Sequence, residues 1–408
     1  MRTSELDYEL PEGVIATRAA EPRDSARMLV LSRSDPSFLA HARVSDLPRY
    51  LHAGDTLVFN RTRVLAARLI ATNSTTGGKV EGLFLHESPD HPGHWRVLIK
   101  ARRARPGSVL TLLDTNDSPS DVTLTLMERI EDDEGGWLAT VTSHGAPVET
   151  GSSPAILARV GRTPLPPYIL AARRAHGEGI PDQSDRERYQ TVYASEQSGS
   201  VAAPTAGLHF TPVLLDTLER AGVRSEKVVL HVGTGTFRPV ETESLLDHPM
   251  HREWCSMSAE TCERIAATRA GSAASSSRVI AVGTTTVRTL ESYAAWVDRL
   301  SEPMGRESDA ASVDRHSEPM GRPEQPGDWP PSIDTRLLIT PGHRFRWVDG
   351  MLTNFHLPRS TLLALVAAAL ELPADPGSGI RRVKEAYAVA IREGYRFYSY
   401  GDAMLILP

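Results

Sequence analysis

The residues best suited to chemistry in this 408-residue chain sit in polar segments rich in glycine and threonine. The longest, residues 199–211 (GSVAAPTAGLHFT), offers Thr205, Gly207 and His209. It has neither helical nor strand periodicity, its side chains are too small to fill a core, and Thr211-Pro212 opens a helix behind it. Small residues let backbone N–H groups approach a ligand, and a helix N-terminus adds partial positive charge, so a binding loop is expected. The second, 231–239 (HVGTGTFRP), follows a strand-like run and holds His231, Gly233, Thr234, Gly235, Thr236 and Arg238. No third glycine opens a helix and no Gly-Lys-Ser/Thr follows, so it is neither a dinucleotide fingerprint nor a phosphate loop. Residues 283–288 (GTTTVR) present Thr285 and Arg288, which could seat an anionic or hydroxyl-rich group. Residues 353–358 (TNFHLP) place Asn354 and His356, directed donors and acceptors, between a strand and a helix. Near the end, 398–402 (YSYGD) sets aromatic faces beside Asp402. Each segment could also serve as a connector, turn or helix cap, the commoner use of such residues.

These segments need elements to hold them. Runs at 27–31 and 56–59 are short, apolar and bounded by turn formers, as buried strands are. From 64 to about 149 the texture changes. Runs at 64–70, 80–85, 95–99, 109–113, 122–127 and 137–141 recur between turn residues, the spacing of an antiparallel barrel or sandwich. The densest basic run, Lys100, Arg102, Arg103 and Arg105, lies here and is a candidate nucleic-acid-binding patch. After Pro154 strands (227–232, 278–282, 336–339, 403–407) alternate with helices (from 212 to Gly222, 258–268, 284–296, 361–372, 380–392). Alternation predicts an α/β domain with a largely parallel sheet. The two early strands need that sheet, so the α/β domain is expected to be discontinuous, 1–63 and 150–408, with an antiparallel β-barrel inserted at 64–149. Residues 298–332 repeat Ser-Glu-Pro-Met-Gly-Arg at 301–306 and 317–322, and read as a disordered surface insertion.

Composition narrows the classes. Forty-five basic against 51 acidic residues give a net charge of −6, so a nucleic-acid site must be a local patch. Two cysteines, Cys255 and Cys262, exclude a disulfide framework and a four-cysteine zinc site. His248 and His251 lack obvious further ligands, so no metal is expected. Neither Gly-x-Ser-x-Gly nor His-Glu-x-x-His occurs. The longest apolar run, 362–370, is far short of the ~20 residues that span a bilayer. No apolar signal segment follows Met1, and a soluble cytoplasmic protein acting as a monomer is expected.

Ten blocks in order resemble the S-adenosylmethionine:tRNA ribosyltransferase-isomerase family of queuosine biosynthesis: 8–11 with 21–24, 54–63 (GDTLVFNRTR), 77–81, 165–169 (LPPYI), 188–194 (RYQTVYA), 200–211, 231–240, 283–292, 352–362 and 395–406 (YRFYSYGDAMLI). The chain departs from the family pattern at Arg61, Thr234 and the 298–332 insertion. The resemblance implies a tRNA carrying 7-aminomethyl-7-deazaguanine at the wobble position, and S-adenosylmethionine consumed as co-substrate, with no true cofactor. It implies ribosyl transfer and isomerisation to epoxyqueuosine, with release of adenine and methionine. Such chemistry needs a base beside the sulfonium and a proton donor for adenine, for which His209, His231 and Asp402 are the candidates. Thr205, Thr234, Thr236 and Thr285 would hold ribose or carboxylate groups, and Arg238 or Arg288 would pair with the methionine carboxylate. The rivals are an S-adenosylmethionine-dependent tRNA methyltransferase, which needs a glycine-rich first βα turn, and a non-catalytic RNA-binding protein, which favours a basic chain.

Overall fold

The computed structural model describes the chain apart from residues 102, 132–135, 180, 196–198, 232, 234–239, 272–276 and 302–328. The first strands are β1 (Arg27–Ser32), β2 (Leu39–Arg43) and β3 (Thr56–Asn60). The chain then builds β4 (Arg68–Asn73), β5 (Lys79–Glu87), β6 (His94–Lys100), β7 (Val109–Leu113), β8 (Pro119–Arg129), β9 (Trp137–Ser143) and the short β10 (Ala146–Pro147). Helix α1 (Ser153–Val160), the two-residue β11 (Gly161–Arg162), α2 (Pro167–Ala175), α3 (Asp182–Arg188) and α4 (Pro212–Arg220) lead back. The return comprises β12 (Arg224–Leu230), β13 (Glu253–Ser256), α5 (Ala259–Gly271), β14 (Val279–Val282), α6 (Thr284–Ser301), β15 (Ser332–Thr335), β16 (Gly350–Asn354), α7 (Thr361–Leu370), α8 (Ser378–Arg392) and β17 (Ala403–Leu407).

Nine strands form one sheet in the order β15-β13-β12-β3-β14-β16-β17-β1-β2. The inner strands β12, β3, β14 and β16 run parallel, as the alternation predicts, and β1 pairs parallel with β17. The margins and the β16–β17 pair are antiparallel, which makes the whole sheet mixed. Every residue of β3, β14 and β16 is buried, because helices cover both faces. Alternate residues serve the two faces. Val279 and Ala281 pack with Val287, Leu290 and α7 on one side, and Ile280 and Val282 pack with Phe59, Leu214 and Leu218 on the other.

Strands β9-β6-β5-β4-β7-β8 pair in sequence and β8 returns to β9, which closes a six-stranded antiparallel barrel. Its core holds Trp95, Val97, Leu112, Leu124 and Ala139. The barrel unit extends past the expected limit at 149. Ile156, Leu157 and Val160 of α1 join its core, and β11 pairs with β4. An amphipathic helix over the barrel end buries apolar side chains that the strands alone would leave open.

Two further expectations are corrected. Residues 336–339 are not a strand; β15 precedes them. Leu337 and Ile339 are buried, but the Leu337 N–H donates to Thr335 Oγ1 (3.1 Å) and its carbonyl accepts from Arg288 Nε (3.0 Å), so α6 and a side chain replace a ladder partner. The expected insertion at 298–332 is narrower at both ends. Helix α6 reaches Ser301, and Trp329 packs against Trp296 (6.2 Å) and Trp347 (5.9 Å). The remainder, 302–328, lies outside the described residues.

Candidate functional site

Strands β3, β14 and β16 end together at Asn60, Val282 and Asn354, and a cleft opens beyond them. Open α/β sheets place ligands at the carboxyl ends of their strands, where loops meet helix N-termini. Here β14 turns into α6 through Gly283, whose φ of +91° suits only glycine among common residues. Thr284 and Thr285, the first helical residues, line the cleft. The 205–209 turn enters from one side with Thr205 on the wall. Behind it Gly207 lies so close to Tyr193 that a Cβ would stand 1.9 Å from the hydroxyl oxygen. The remaining wall includes Thr353, Asn354, Phe355, His356, Ser360, Tyr168, Tyr398 and Ser399.

The polar groups of this wall are tightly wired. The Asn354 amide nitrogen donates to the Tyr398 carbonyl (3.0 Å) and meets His209 Nε2 at 3.3 Å. A carbonyl can only accept, so the nitrogen must face Tyr398, and His209 Nε2 accepts while its proton sits on Nδ1. The opposite amide atom, Asn354 Oδ1, is buried and receives no hydrogen bond from any described residue. His356 Nε2 lies 2.9 Å from Thr353 Oγ1, and the His356 N–H donates to the Tyr387 hydroxyl (2.8 Å). Tyr168 and Ser399 hydroxyls meet at 2.5 Å. Tyr398 holds φ at +72°, a strained left-handed conformation for a bulky residue. Hydrogen bonds from its N–H to Phe355 and onto its carbonyl keep it there.

Electrostatically the cleft is quiet. Among the described residues no Asp, Glu, Lys or Arg lines it. Burial lowers the His356 pKa to about 3, and burial, opposed by nearby Asp402, lowers that of His209 to about 4. Both imidazoles are therefore neutral near pH 7. Aromatic faces and neutral acceptors can hold a cationic ligand by cation–π attraction without neutralising it.

The other expected site residues are dispersed. Asp402 is buried outside the cleft wall, accepting from the Arg27 N–H (3.1 Å) and from the Arg396 N–H (2.8 Å) and guanidinium (3.2 Å). Those bonds close the 396–402 turn. His231 is half-buried and stacks on Trp254 with ring centres 4.9 Å apart; it lines no described cleft wall. Its pKa is lowered by burial. The Gly233 N–H points at Glu253 Oε1 (3.4 Å). Arg288 lies one turn along α6 and lines a second, neighbouring cleft. Thr234, Gly235, Thr236 and Arg238 fall outside the described residues, as does Arg102. Lys100 ends β6 on the barrel, and Arg103 and Arg105 follow it in a turned, not extended, segment; all three are exposed. Sequence reasoning did not single out Tyr168, Ser360 or Glu253 for the clefts they line, and it took Tyr398 only as an aromatic face beside Asp402. Tyr168 lay in plain view in the LPPYI block, but Glu253 has no local signal at all.

A family model described as "Queuosine biosynthesis protein" matches residues 3–406 of the chain. A protein of Moorella thermoacetica named S-adenosylmethionine:tRNA ribosyltransferase-isomerase is 41% identical over 409 residues, covering 100% of both chains. One of the same name from Thermus thermophilus is 44% identical over 403 residues, covering 98% of each. The crystal structure of an S-adenosylmethionine tRNA ribosyltransferase from Thermotoga maritima is 30% identical, covers 99% of this chain and 100% of its own, and has a TM-score of 0.47.

Proposed function

Because the chain belongs to the queuosine biosynthesis protein family, we propose that it is a tRNA ribosyltransferase-isomerase that takes S-adenosylmethionine as ribosyl donor. The acceptor is tRNA bearing 7-aminomethyl-7-deazaguanine at the wobble position, and the products are epoxyqueuosine-tRNA, adenine and methionine. The observation that carries this reading is the uncharged, aromatic cleft at the carboxyl ends of the parallel strands, with the open acceptor Asn354 Oδ1 on its wall. A sulfonium fits such a cleft, and Asn354 Oδ1 would take a hydrogen bond from the adenine amine or a ribose hydroxyl.

Of the histidines, His356 touches the cleft and is the group proposed to remove the proton from the ribose 5′ carbon. That transfer moves positive charge from sulfur to imidazole, so the cleft holds one unit before and after. Protonated His356 then hands the proton on to departing adenine. The aminomethyl nitrogen then attacks the ribose, and epoxide closure expels methionine. His209 stands behind Asn354 and positions it. Incubation with S-adenosylmethionine and the modified-base tRNA tests the reading. Adenine and methionine in equal amounts support it, S-adenosylhomocysteine points to a methyltransferase, and tRNA binding without turnover points to a binding module.

A further inference from the structure

A second, smaller cleft adjoins the first through the N-terminus of α7. Leu362 lines both, Ser360 faces the first, and Thr361 and Leu365 face the second. Its wall holds a buried ion pair between Arg288 of α6 and Glu253 of β13, only 5% and 3% exposed. Arg288 Nε donates to the Leu337 carbonyl (3.0 Å) and Nη1 to Glu253, whereas Nη2 is buried with no partner among the described residues. A guanidinium is a rigid fork shaped for a carboxylate, and a buried donor left unmade is costly unless a ligand completes it.

We infer that this Arg288–Glu253 pair binds the zwitterionic amino-acid end of the sulfonium substrate, its carboxylate on Arg288 Nη2 and its ammonium on the Glu253 carboxylate. The inference rests on the reading of the first cleft given above. Charge supports it: the pair is neutral as a whole, and so is the zwitterion, so neither brings a net charge into the interior. Spacing supports it too. Thr284 on the first cleft and Arg288 on the second are four residues apart on one face of α6, about 6 Å along the axis. The methionyl chain from sulfur to the α-carbon spans three bonds of about 1.5 Å each, and the carboxylate lies one bond further. A nucleoside seated over Thr284 and Thr285 thus extends its amino-acid tail toward Arg288.

Calorimetric titration of the full chain tests this with three ligands: S-adenosylmethionine, its decarboxylated form, and 5′-methylthioadenosine, which lacks the amino-acid end. The wild type should bind the decarboxylated compound about tenfold or more weakly than S-adenosylmethionine, the cost of a lost charge-assisted bond. Glu253→Gln, similar in shape, should weaken S-adenosylmethionine about tenfold and leave 5′-methylthioadenosine within about twofold. The inference fails if the decarboxylated compound binds wild type as tightly as S-adenosylmethionine, or if the variant weakens both nucleosides alike. Should Glu253→Gln not fold, the wild-type comparison decides alone. Wild type that binds none of the three overturns the reading of the first cleft, and the subsite with it.

Discussion

His356 and His209 are buried imidazoles that have lost hydration without gaining a carboxylate in direct contact. In the unfolded chain each titrates near 6.5, in the folded protein at about 3 and about 4. As pH falls, the unfolded chain therefore takes up protons first, and folding stability declines. The contribution is whole above about pH 6.5 and lost progressively toward pH 3. His356→Gln should accordingly flatten the fall of Tm between about pH 7 and pH 4 in scanning calorimetry; an equally steep fall would assign the acid lability elsewhere. On activity, His356→Gln should lower turnover about 10²–10⁴-fold with S-adenosylmethionine affinity little changed. His209→Asn, acting through Asn354, should raise KM as well as lower kcat, and steady-state kinetics separates the two patterns. Thr205, Thr285, Asn354 and His356, singled out from the sequence, do line the first cleft, although polar side chains in Gly- and Thr-rich loops more often serve as turns, connectors or caps. The left-handed backbone of Tyr398 and the pairing of Glu253 with Arg288 were not legible. Both depend on neighbours far away in the chain.

Two helix caps separate stability from function. Thr211 Oγ1 accepts from the Leu214 N–H (3.1 Å) and caps α4 away from the cleft wall; Ser360 Oγ accepts from the Leu363 N–H (3.2 Å) and caps α7 on that wall. Either change to Ala should cost about 1 kcal/mol of stability, read by denaturant unfolding. Thr211→Ala should leave kcat/KM unaltered and Ser360→Ala should lower it; equal kinetics would remove Ser360 from the ligand's surroundings. Both caps were readable as a hydroxyl before a helical run. Strand 336–339 misled for the opposite reason: Leu337-Leu338-Ile339 is apolar enough for a strand, yet periodicity cannot tell buried coil from buried strand. The barrel was legible from its turn spacing, and its closure by α1 was not, because that helix follows the last strand after a Gly-Ser break.

A chain with net charge −6 that handles a polyanion needs a concentrated basic surface. Arg103 and Arg105 stand exposed on the barrel. Each lost phosphate contact shallows the slope of log K against log[salt] by about 0.7 to 0.9. Arg103→Ala with Arg105→Ala should thus weaken tRNA binding and flatten its salt dependence, with S-adenosylmethionine affinity unaltered; an unchanged slope in filter binding would move the RNA surface off the barrel. The position of β17 has a different bearing, on the order in which the molecule can be made. This strand lies inside the sheet, parallel to β1 and antiparallel to β16. About 360 residues separate it from β2, or roughly 20 to 70 s of synthesis at the usual rates. The β1–β2 hairpin must wait through that interval with its β1 edge unpaired as well as the outer edge of β2, a template for stray strands. Only when residues 403–407 emerge can the nine-stranded sheet be completed, so the nascent chain stays most vulnerable until this inner strand is made.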